Sequence, residues 1–435
     1  MTDAAEDLPL LTDLYQLTML QAYWRRGMNE PATFELFVRH LPPNRRFLVS
    51  CGLEHALSYL QSLRFTADAI ERVRSLERFD AEFLAWLASF RFDGEVWAIA
   101  EGELFLAGEP ALRVTAPLTI AQFVETFLLN AILYPASVAT KAARVVIAAD
   151  GRNVVDFSAR RDHGVDAAVK AARASWIAGF AGTSNVLAGT TYGMPVFGTM
   201  AHSYVMAFDR EIDAFRSYAE EFPDAAVLLV DTYDVDEGLR NAVEVGRELA
   251  ARGRTLRGVR LDSGDLAAQA RTARGLLDDA GLRDSTIFVS GDLNEWRVAE
   301  IVAAHAPVDG FGVGTELGVV ADAPALSGVY KMVEYAGRAR AKRSAEKATL
   351  GGRKQVWRRG PGDDVIAMDG VPIDGARPLL EPVMEGGRVV AAWSPGDART
   401  RCAAAIDGLP AEMRDIAECP ADSGPRPEVH ASLRA

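Results

Sequence analysis

The sequence predicts an α/β protein in which an irregular (β/α) barrel is combined with a β-rich α+β domain formed from both chain termini. The first observation is a repeated rhythm between residues 154 and 315, where short apolar runs alternate with segments of helical length. Strands and helices that alternate in this way are typical of parallel βαβ units. The second observation is that both ends of the chain have strand-like segments separated by turns, which indicates a separate β-rich layer.

The predicted barrel strands are the apolar runs VVDF, MPVFGTM, AVLLVDTYD, GVRLDSGD, TIFVSGD and DGFGVGT. Runs of this kind suit strands that are buried on both faces. Polar or glycine residues stand at the trailing end of each run: Arg160, His202, Asp231, Arg260 with Asp262, Gly291 with Asp292, and Gly314 with Thr315. In a parallel barrel these ends meet at one rim, where such folds carry their chemistry. Separate segments of the chain therefore predict a single pocket.

The chain is predicted to divide into a terminal α+β part, a barrel part and a tail. The predicted limits are residues 1–120 completed by 327–420 for the α+β part, 121–326 for a helical lead-in and the barrel, and 421–435 for the tail. A helix is expected near Leu11–Arg26, and Leu118–Ala149 is predicted to be a core helix because its apolar residues recur at helical spacing. The tail is rich in Pro, Ser and Gly, which favours a flexible end.

The composition argues against several classes of partner. The chain has 435 residues, of which 49% are hydrophobic, so it can bury the core of a barrel-sized domain. Its formal net charge of -13 argues against a nucleic acid or an anionic membrane as the main partner. The N-terminus lacks a secretory signal pattern, and apolar stretches such as Phe127–Tyr134 are well short of the roughly 20 residues that span a bilayer. We therefore expect a cytoplasmic protein.

The segment GVRLDSGDL carries a cation and a carboxylate two residues apart, Arg260 and Asp262. In an extended strand both side chains project from the same face. Arg260 can hold an anionic ring substituent while Asp262 accepts hydrogen bonds from ribose hydroxyls. A salt bridge that serves the structure alone is the competing interpretation.

Two glycine-containing turns indicate a phosphate site. FVSGDLN and FGVGTELG place Gly291 and Gly314 after strands, where exposed N–H groups before a helix bind anions. Neither turn matches a Walker A or a full dinucleotide fingerprint, so each is a weak signal alone. His202 follows another predicted strand, in GTMAHS, although a single histidine is more often structural than functional.

Ordered motifs along the chain closely resemble those of the nicotinate phosphoribosyltransferases, which are type II phosphoribosyltransferases. The motifs are TDLYQLTM, FSARRDHG, GFAGTSNVLAG, GTMAHS, VDTYD, GVRLDSGDL, FVSGDLNE, GFGVGTELG and GVYK. They span about three quarters of the chain in the family's order. A chance match to so many ordered motifs is very improbable, so the resemblance is specific.

The resemblance implies an enzyme that joins nicotinate to 5-phosphoribosyl 1-pyrophosphate (PRPP), with ATP and water as co-substrates. The products would be nicotinate mononucleotide, pyrophosphate, ADP and phosphate, in the first step of NAD synthesis from nicotinic acid. ATP coupling of this ligase type would run through transient phosphorylation of His202, and Mg²⁺ would arrive with PRPP or pyrophosphate. The family also implies a homodimer with active sites at the subunit interface, where Asp13 and Tyr15 reach into the neighbour's site.

The resemblance further implies roles for residues of several motifs. Tyr15 and Phe157 would stack on the two faces of the pyridine ring, and Asp262 would bind the ribose. The remaining expected substrate contacts are Arg160 and Arg260 for charged groups, Gly291, Gly314, Thr315 and Lys331 for the 5′-phosphate, and Asp231 and Asp292 at the strand ends.

Ser184 separates this chain from a close relative of the family. The nicotinamide-using relative has Asp at this position, which accepts a hydrogen bond from the amide, whereas a serine hydroxyl can donate to a carboxylate. The sequence therefore favours nicotinate over nicotinamide. The alternatives that stay open are a nicotinamide or quinolinate phosphoribosyltransferase, and a non-catalytic barrel that only binds ligands.

Two motifs contain departures from the family pattern. Asp162 and His163 of FSARRDHG stand where Ala with Gln or His is usual, and Glu316 stands where a basic or neutral residue is more common. Because a carboxylate beside a phosphate would weaken its binding, Glu316 is expected to face away from the phosphate.

Overall fold

The computed structural model describes residues 8–342, 349–391 and 394–433. The chain forms two compact units, Met1–Thr140 with Ala323–Ala435, and Lys141–Asp322. These limits differ from the boundaries expected after residues 120 and 326. The first limit falls later because buried residues between 118 and 132 belong to the hydrophobic core of the first unit.

The first unit begins with a mixture of short strands and helices. Its first strands are β1 (Pro31–Val38), β2 (Leu48–Val49), β3 (Glu95–Ile99), β4 (Leu104–Phe105) and β5 (Pro110–Pro117). Its first helices are α1 (Leu14–Arg25), α2 (Leu53–Ser62), α3 (Ala67–Arg74), α4 (Ala81–Leu87) and α5 (Leu118–Phe123), preceded by a 3-10 turn at Leu8–Leu10. Helix α1 confirms the helix predicted near Leu11–Arg26.

A long helix, α6 (Glu125–Ala149), follows α5, and together they confirm the helical prediction for Leu118–Ala149. Among the described residues, α6 is the one helix long and apolar enough to cross a membrane, yet 78% of its apolar window is buried inside the structure. The helix carries Lys141 and Arg144, which are both buried and both paired with Glu295. An apolar helix with buried, paired charges is typical of a protein core.

The second unit alternates strands with helices along its whole length. Its strands are β6 (Asn153–Asp156), β7 (Gly182–Thr183), β8 (Val227–Leu229), β9 (Gly258–Leu261), β10 (Thr286–Val289) and β11 (Gly310–Val313). Its helices are α7 (Val165–Ile177), α8 (Val186–Tyr192), α9 (His202–Met206), α10 (Glu211–Glu221), α11 (Val235–Ala251), α12 (Leu266–Asp279), α13 (Glu295–Ala303) and α14 (Thr315–Gly318).

The strands of the second unit form one parallel sheet in the order β7-β6-β11-β10-β9-β8. The last strand of this unit, β11, pairs with its first strand, β6, so the strand order turns back on itself as it does in a barrel. Within residues 141–322, all of which are described, the sheet has β7 and β8 at its two edges. The α/β fold with an irregular barrel, predicted from the sequence, is therefore confirmed.

One predicted strand, MPVFGTM, is not a strand in the structure. The segment makes a single parallel bridge, from Val196 to Thr183, beside the two-residue strand β7, which was not predicted. Pro195 has no N–H to donate, and the segment's pairing consists of Pro195 O accepting from Thr183 N and Phe197 N donating to Thr183 O. The break in the barrel therefore lies between this segment and β8.

Polar residues at the strand ends serve two different purposes. Some of them cap the helix that follows the strand. Backbone N–H groups at the starts of α8, α11, α12 and α13 donate hydrogen bonds to the side chains of Asn185, Asp234, Asp265 and Asn294. The polar residues nearer the strands, including Asp231 and Asp262, are then left to face the rim of the barrel.

The C-terminal part of the chain returns to the first unit. Its strands are β12 (Gly328–Tyr335), β13 (Arg338–Ala339), β14 (Lys354–Gly360), β15 (Asp363–Met368), β16 (Arg377–Pro378), β17 (Leu380–Glu385), β18 (Arg388–Val389) and β19 (Glu428–Val429), and its helices are α15 (Pro395–Asp407) and α16 (Ala411–Arg414). Strands β12 and β17 flank the N-terminal strands in an antiparallel sheet ordered β13-β12-β1-β5-β3-β17-β18. A second sheet is ordered β16-β14-β15-β19, and β2 pairs with β4. The predicted β-rich domain from both termini is therefore confirmed.

The expected flexible tail is packed against the first unit in the structure. Strand β19 pairs with β15, and a 3-10 turn at Ala431–Leu433 follows it. Asp422 accepts a hydrogen bond from Leu41 N at 2.9 Å and lies 2.8 Å from the His40 ring. Composition favoured a frayed end because it carries no information on long-range pairing. Residues 434 and 435 lie outside the described residues.

Candidate active site

The centre of the site is a group of three side chains at the ends of β9 and β10. The Arg260 guanidinium donates to Asp262 Oδ1 at 2.7 Å and to Ser290 Oγ at 2.8 Å. Ser290 Oγ in turn donates to Asp262 Oδ1 at 2.5 Å. The side chains of Arg260 and Asp262 are 13% and 25% exposed, so the group is shielded but open to a ligand. The predicted placement of Arg260 and Asp262 on one face is confirmed.

The carboxyl of Asp262 is held in its ionised form. Burial by itself would raise the pKa of Asp262, but hydrogen bonding from Ser290 and the charge of Arg260 outweigh burial and lower that pKa below its ordinary value. The nearby His202 acts in the same direction. Asp262 therefore remains an acceptor of hydrogen bonds at neutral pH.

His202 lies within reach of this group, as predicted. It is the first residue of α9, its side chain is 42% exposed, and its Nε2 is 3.7 Å from Asp262 Oδ2. Its Nδ1 lies 3.2 Å from the Thr232 hydroxyl, which orients the ring. The imidazole is thus oriented on one side and accessible on the other.

Asp231 supports the same group from the end of β8. Its Oδ2 accepts a hydrogen bond from Asp262 N at 3.0 Å and another from Ser263 Oγ at 2.7 Å. Its Oδ1 is buried and has no hydrogen-bond partner among the described residues. A buried, unpaired carboxylate oxygen is costly, so this atom is a candidate ligand for a cation or a donor that arrives with a substrate.

Aromatic rings form an apolar surface beside Arg260. The Arg260 guanidinium lies 5.3 Å from the centroid of the Phe157 ring, and the rings of Phe157 and Phe288 are 5.8 Å apart. Two glycines of β11 make room for them. A methyl group on Gly312 would lie 2.7 Å from the Phe157 ring, and one on Gly310 would lie 3.0 Å from the Phe288 ring. Phe157 is half-buried, so part of its ring is open to a ligand.

The predicted phosphate turns are shaped by close backbone approach. Gly291 has a φ of +96°, and a methyl group there would lie 1.9 Å from the Asp262 carbonyl oxygen, so a side chain has no space at this position. Asp292 follows it with a positive φ of +45°. Gly314 precedes the short helix α14, and Thr315, the first residue of that helix, is exposed.

Two further residues from the sequence analysis lie after β6 and β7. Arg160 is exposed in the loop that follows β6. Ser184 is half-buried directly after β7, and its backbone N donates to Asp156 O at 2.8 Å. This hydrogen bond fixes the backbone of Ser184 against the end of β6.

Asp13, Tyr15 and Lys331 belong to the first compact unit, whereas the residues described above belong to the second. Asp13 precedes α1, and its Oδ2 accepts a hydrogen bond from Thr126 Oγ1 at 2.8 Å. Tyr15 is 48% exposed. The pKa of its phenol is raised, mainly by partial burial and to a smaller extent by the negative charges of Glu125 and Asp13. Lys331 is a half-buried residue of β12.

Sequence reasoning missed several residues that complete the group. Ser290 bridges Arg260 and Asp262, Thr232 orients His202, and Thr199 Oγ1 accepts from Arg260 at 3.4 Å. All three stand inside motifs that were recognised, and Ser290 and Thr232 are next to the residues chosen. The sequence does not show the register of neighbouring strands, and this register decides which side chains come into contact.

Comparison with known proteins identifies the family. Residues 10–133 match the family model described as the nicotinate phosphoribosyltransferase (NAPRTase) N-terminal domain, and residues 152–344 match the model of the nicotinate phosphoribosyltransferase (NAPRTase) family. The chain is 48% identical over 413 residues to the nicotinate phosphoribosyltransferase pncB2 of Mycobacterium tuberculosis, covering 94% of this chain and 89% of that protein. It is 42% identical over 361 residues to the Bacillus subtilis nicotinate phosphoribosyltransferase, covering 81% and 73%.

Solved structures show the same fold. The crystal structure of human nicotinic acid phosphoribosyltransferase has a TM-score of 0.87 and 28% identity, covering 97% of this chain and 98% of that chain. A nicotinate-nucleotide pyrophosphorylase from Pyrococcus furiosus has a TM-score of 0.77 and 25% identity, covering 94% and 97%. The motifs, the fold and these relatives agree, and the chain belongs to the nicotinate phosphoribosyltransferase family.

Proposed function

We propose that this protein joins nicotinate to PRPP, with ATP hydrolysis coupled to the step through a transient phosphohistidine at His202. The products are nicotinate mononucleotide and pyrophosphate, together with ADP and phosphate from ATP and water. The observation that carries the proposal is the Arg260, Asp262 and His202 group at one rim, beside the half-buried ring of Phe157. This reaction is the first step of NAD synthesis from nicotinic acid.

The transfer step needs charge stabilisation more than a strong base. The pyridine nitrogen attacks the anomeric carbon of PRPP while the bond from that carbon to pyrophosphate breaks, so positive charge develops on the ribose. We assign the ionised Asp262 to the ribose, because a carboxylate can accept hydrogen bonds from the hydroxyls and stabilise that charge. Arg260 and Arg160 are suited to hold anionic groups, since a guanidinium binds carboxylates and phosphates with several donors.

The phosphate part of PRPP needs backbone donors and cations. Gly291, Asp292, Gly314 and Thr315 form the turns that we assign to the 5′-phosphate, because their backbone can approach a ligand closely. We assign Lys331 to the same phosphate on the family resemblance alone. The exposed side of Phe157 provides one stacking face for the pyridine ring.

Phosphorylation of His202 would link ATP hydrolysis to substrate binding. Thr232 holds Nδ1, and Nε2 faces Asp262 on the open side of the ring. A phosphoryl group adds close to two negative charges at this rim, so its arrival and loss can change the affinity for PRPP and for the products.

Mg²⁺ is part of the substrate in this proposal. No cluster of three or more His, Cys, Asp or Glu side chains among the described residues is arranged to hold a metal ion. Mg²⁺ commonly uses one or two carboxylates together with phosphate oxygens. The unpaired Oδ1 of Asp231 and the ionised Asp262 fit that role for a metal ion that arrives with pyrophosphate.

A homodimer with shared active sites is part of the proposal. Apolar side chains at the barrel edge near β7 are exposed in the single chain: Val186 is 64%, Leu187 56%, Val196 46% and Phe197 42% exposed. Exposed apolar patches mark interaction surfaces, and a second copy of the chain would cover this one. The proposal has Asp13 and Tyr15 of one subunit reach the site of the other, in a cytoplasmic enzyme.

A substrate comparison tests the proposal. We expect nicotinate mononucleotide from nicotinate, PRPP, ATP and Mg²⁺, with little product from nicotinamide or quinolinate, and slower transfer without ATP. Product from quinolinate or nicotinamide instead would support those alternatives. The absence of any product would support a non-catalytic binding protein.

Ser184→Asp tests the preference for the acid. A carboxylate at this position would repel the carboxylate of nicotinate, so kcat/KM for nicotinate should fall by at least about tenfold. Ser184→Ala is the control, because it removes the donor without adding a charge and should have a smaller effect. Unchanged kinetics in Ser184→Asp would contradict the assignment of Ser184.

A further inference from the structure

Asp162 closes the loop that carries Phe157 and Arg160. Its Oδ2 accepts a hydrogen bond from Ser158 Oγ at 3.0 Å, and Ser158 is fully buried. The backbone turn is closed by Arg161 N, which donates to Ser158 O at 2.7 Å. The position of Arg160 between these residues therefore depends on the contact between Ser158 and Asp162.

The second oxygen of Asp162 reaches a different loop. A methyl group on Gly318, in α14, would lie 1.7 Å from Asp162 Oδ1 and 2.7 Å from Ser158 Cβ. The carboxyl and Ser158 thus lie directly against α14, whose first residue is Thr315. Asp162 Oδ1 is buried and has no hydrogen-bond partner among the described residues.

The loop of Phe157 and Arg160 and the turn at the start of α14 are also in contact through their backbones. Phe157 N donates to Val313 O at 2.8 Å, and a methyl group on Gly314 would lie 3.1 Å from Phe157 O. Asp162 adds a side-chain contact further along both segments, where it lies against Gly318. The loops are therefore in contact at two separated places, of which Asp162 provides one.

The partly buried position of Asp162 disfavours its charged form. Burial raises the pKa of Asp162 to about 6, the Ser158 hydrogen bond and His163 act against this rise, and Asp156 adds to it. On α14 the ionisable residue is Glu316. An amide of the same shape would keep the contacts of Asp162 without the cost of burying a charge.

We propose that Asp162 is a positioning residue that couples the loop of Phe157 and Arg160 to the turn of Gly314 and Thr315. The inference rests on the proposed function, in which the loop binds the ring and charged groups and the turn binds the 5′-phosphate. PRPP bridges both elements, so their relative position sets its affinity.

Steady-state kinetics of the full chain test this role. Asp162→Ala should raise the KM for PRPP about tenfold, as expected for the loss of a hydrogen bond to a charged group, with kcat changed less than about twofold. Asp162→Asn should stay near the wild type, because its amide oxygen accepts from Ser158. Ser158→Ala should match Asp162→Ala, and the double variant should be no worse than either single one.

Asp279→Ala is the matched control, since Asp279 is an exposed residue at the end of α12 and its replacement should leave every parameter unchanged. An unchanged KM for PRPP in Asp162→Ala would overturn the proposal. So would an equal loss of kcat, nicotinate affinity and thermal midpoint, because that pattern indicates a general structural defect. An inactive wild type would overturn the proposed function instead. If the wild type is inactive, the wild type and the variants are compared by calorimetric titration with PRPP. Equal Kd values would then overturn the role of Asp162.

Discussion

At the scale of single residues, Asp262 shows how each atom of a side chain can serve a different purpose. Its Oδ1 is occupied by Arg260 and Ser290, which hold the carboxylate in place and ionised. Its Oδ2 faces His202 at 3.7 Å and remains available to a ligand. Asp231 holds the backbone of Asp262 from the neighbouring strand. The carboxylate is thus positioned before any substrate arrives, which lowers the cost of binding.

His202→Ala should abolish ATP hydrolysis but leave slow transfer from PRPP to nicotinate. The phosphoryl acceptor is lost, whereas Arg260, Asp262 and Ser290 keep their mutual contacts. ADP release and nicotinate mononucleotide formation are measured in the same assay. His305→Asn, which replaces a histidine outside the site at a positive φ of +49° that Asn tolerates, is the control. Normal ATP hydrolysis by His202→Ala would remove the proposed phosphohistidine.

Asp162→Asn should be more stable than the wild type at pH 8 and lose this advantage by pH 4. Burial raises the folded-state pKa of Asp162 to about 6. The folded wild type is therefore most stable at low pH, where this carboxyl is neutral, and it loses stability as the pH rises through 6 and the buried carboxyl ionises. After allowance for solvent, about 1 kcal/mol is expected, seen as a higher thermal midpoint. The exposed Asp279→Asn is the control. An equal difference at both pH values would contradict a titration of Asp162.

At the scale of elements, β11 is a strand of the barrel sheet that also leaves space for two aromatic rings. The sequence analysis assigned Gly314, which follows this strand, to a turn that binds an anion. In the structure, Gly310 and Gly312 on one face of β11 leave room for the rings of Phe288 and Phe157. The period of two in a strand explains why both glycines lie on that face.

Gly312→Ala should disturb the ring of Phe157. The added methyl would lie 2.7 Å from that ring and 3.0 Å from Phe288, so the rings must shift, at a cost of about 1–3 kcal/mol. The KM for nicotinate should rise, and denaturant unfolding should show the loss of stability. Gly275→Ala is the matched control, because Gly275 is exposed inside α12 with open space around it, and Ala there should stabilise the helix. A Gly312→Ala enzyme with wild-type affinity and stability would contradict this role of β11.

At the scale of the whole molecule, the predicted site residues are divided between the two compact units. Asp13, Tyr15 and Lys331 belong to the unit formed from both termini, and the Arg260 group belongs to the barrel unit. The proposed dimer gives this division a function, because each site would take residues from two subunits. Subunit mixing is a direct test of that arrangement.

Mixed dimers of Tyr15→Ala and His202→Ala subunits should regain the ATP-coupled transfer that neither variant performs alone. If each site combines the Tyr15 of one subunit with the His202 of the other, every mixed dimer keeps one intact site, and random mixing restores about a quarter of the wild-type rate. Mixing His202→Ala with Phe157→Ala is the control. Both of those residues belong to the barrel unit, so no intact site should form. No recovery with Tyr15→Ala would show that Tyr15 does not serve the site of the other subunit.

The sequence by itself determined the alternation of strands and helices, the strand-end motifs and the family, because these depend on local period and on residue order. Only the tertiary structure decided that Gly182–Thr183 replaces MPVFGTM in the sheet, that Ser290 and Thr232 complete the site, and that β19 joins the C-terminal segment to β15. These contacts join residues far apart in the chain, and strand register, which local sequence specifies weakly, selects them.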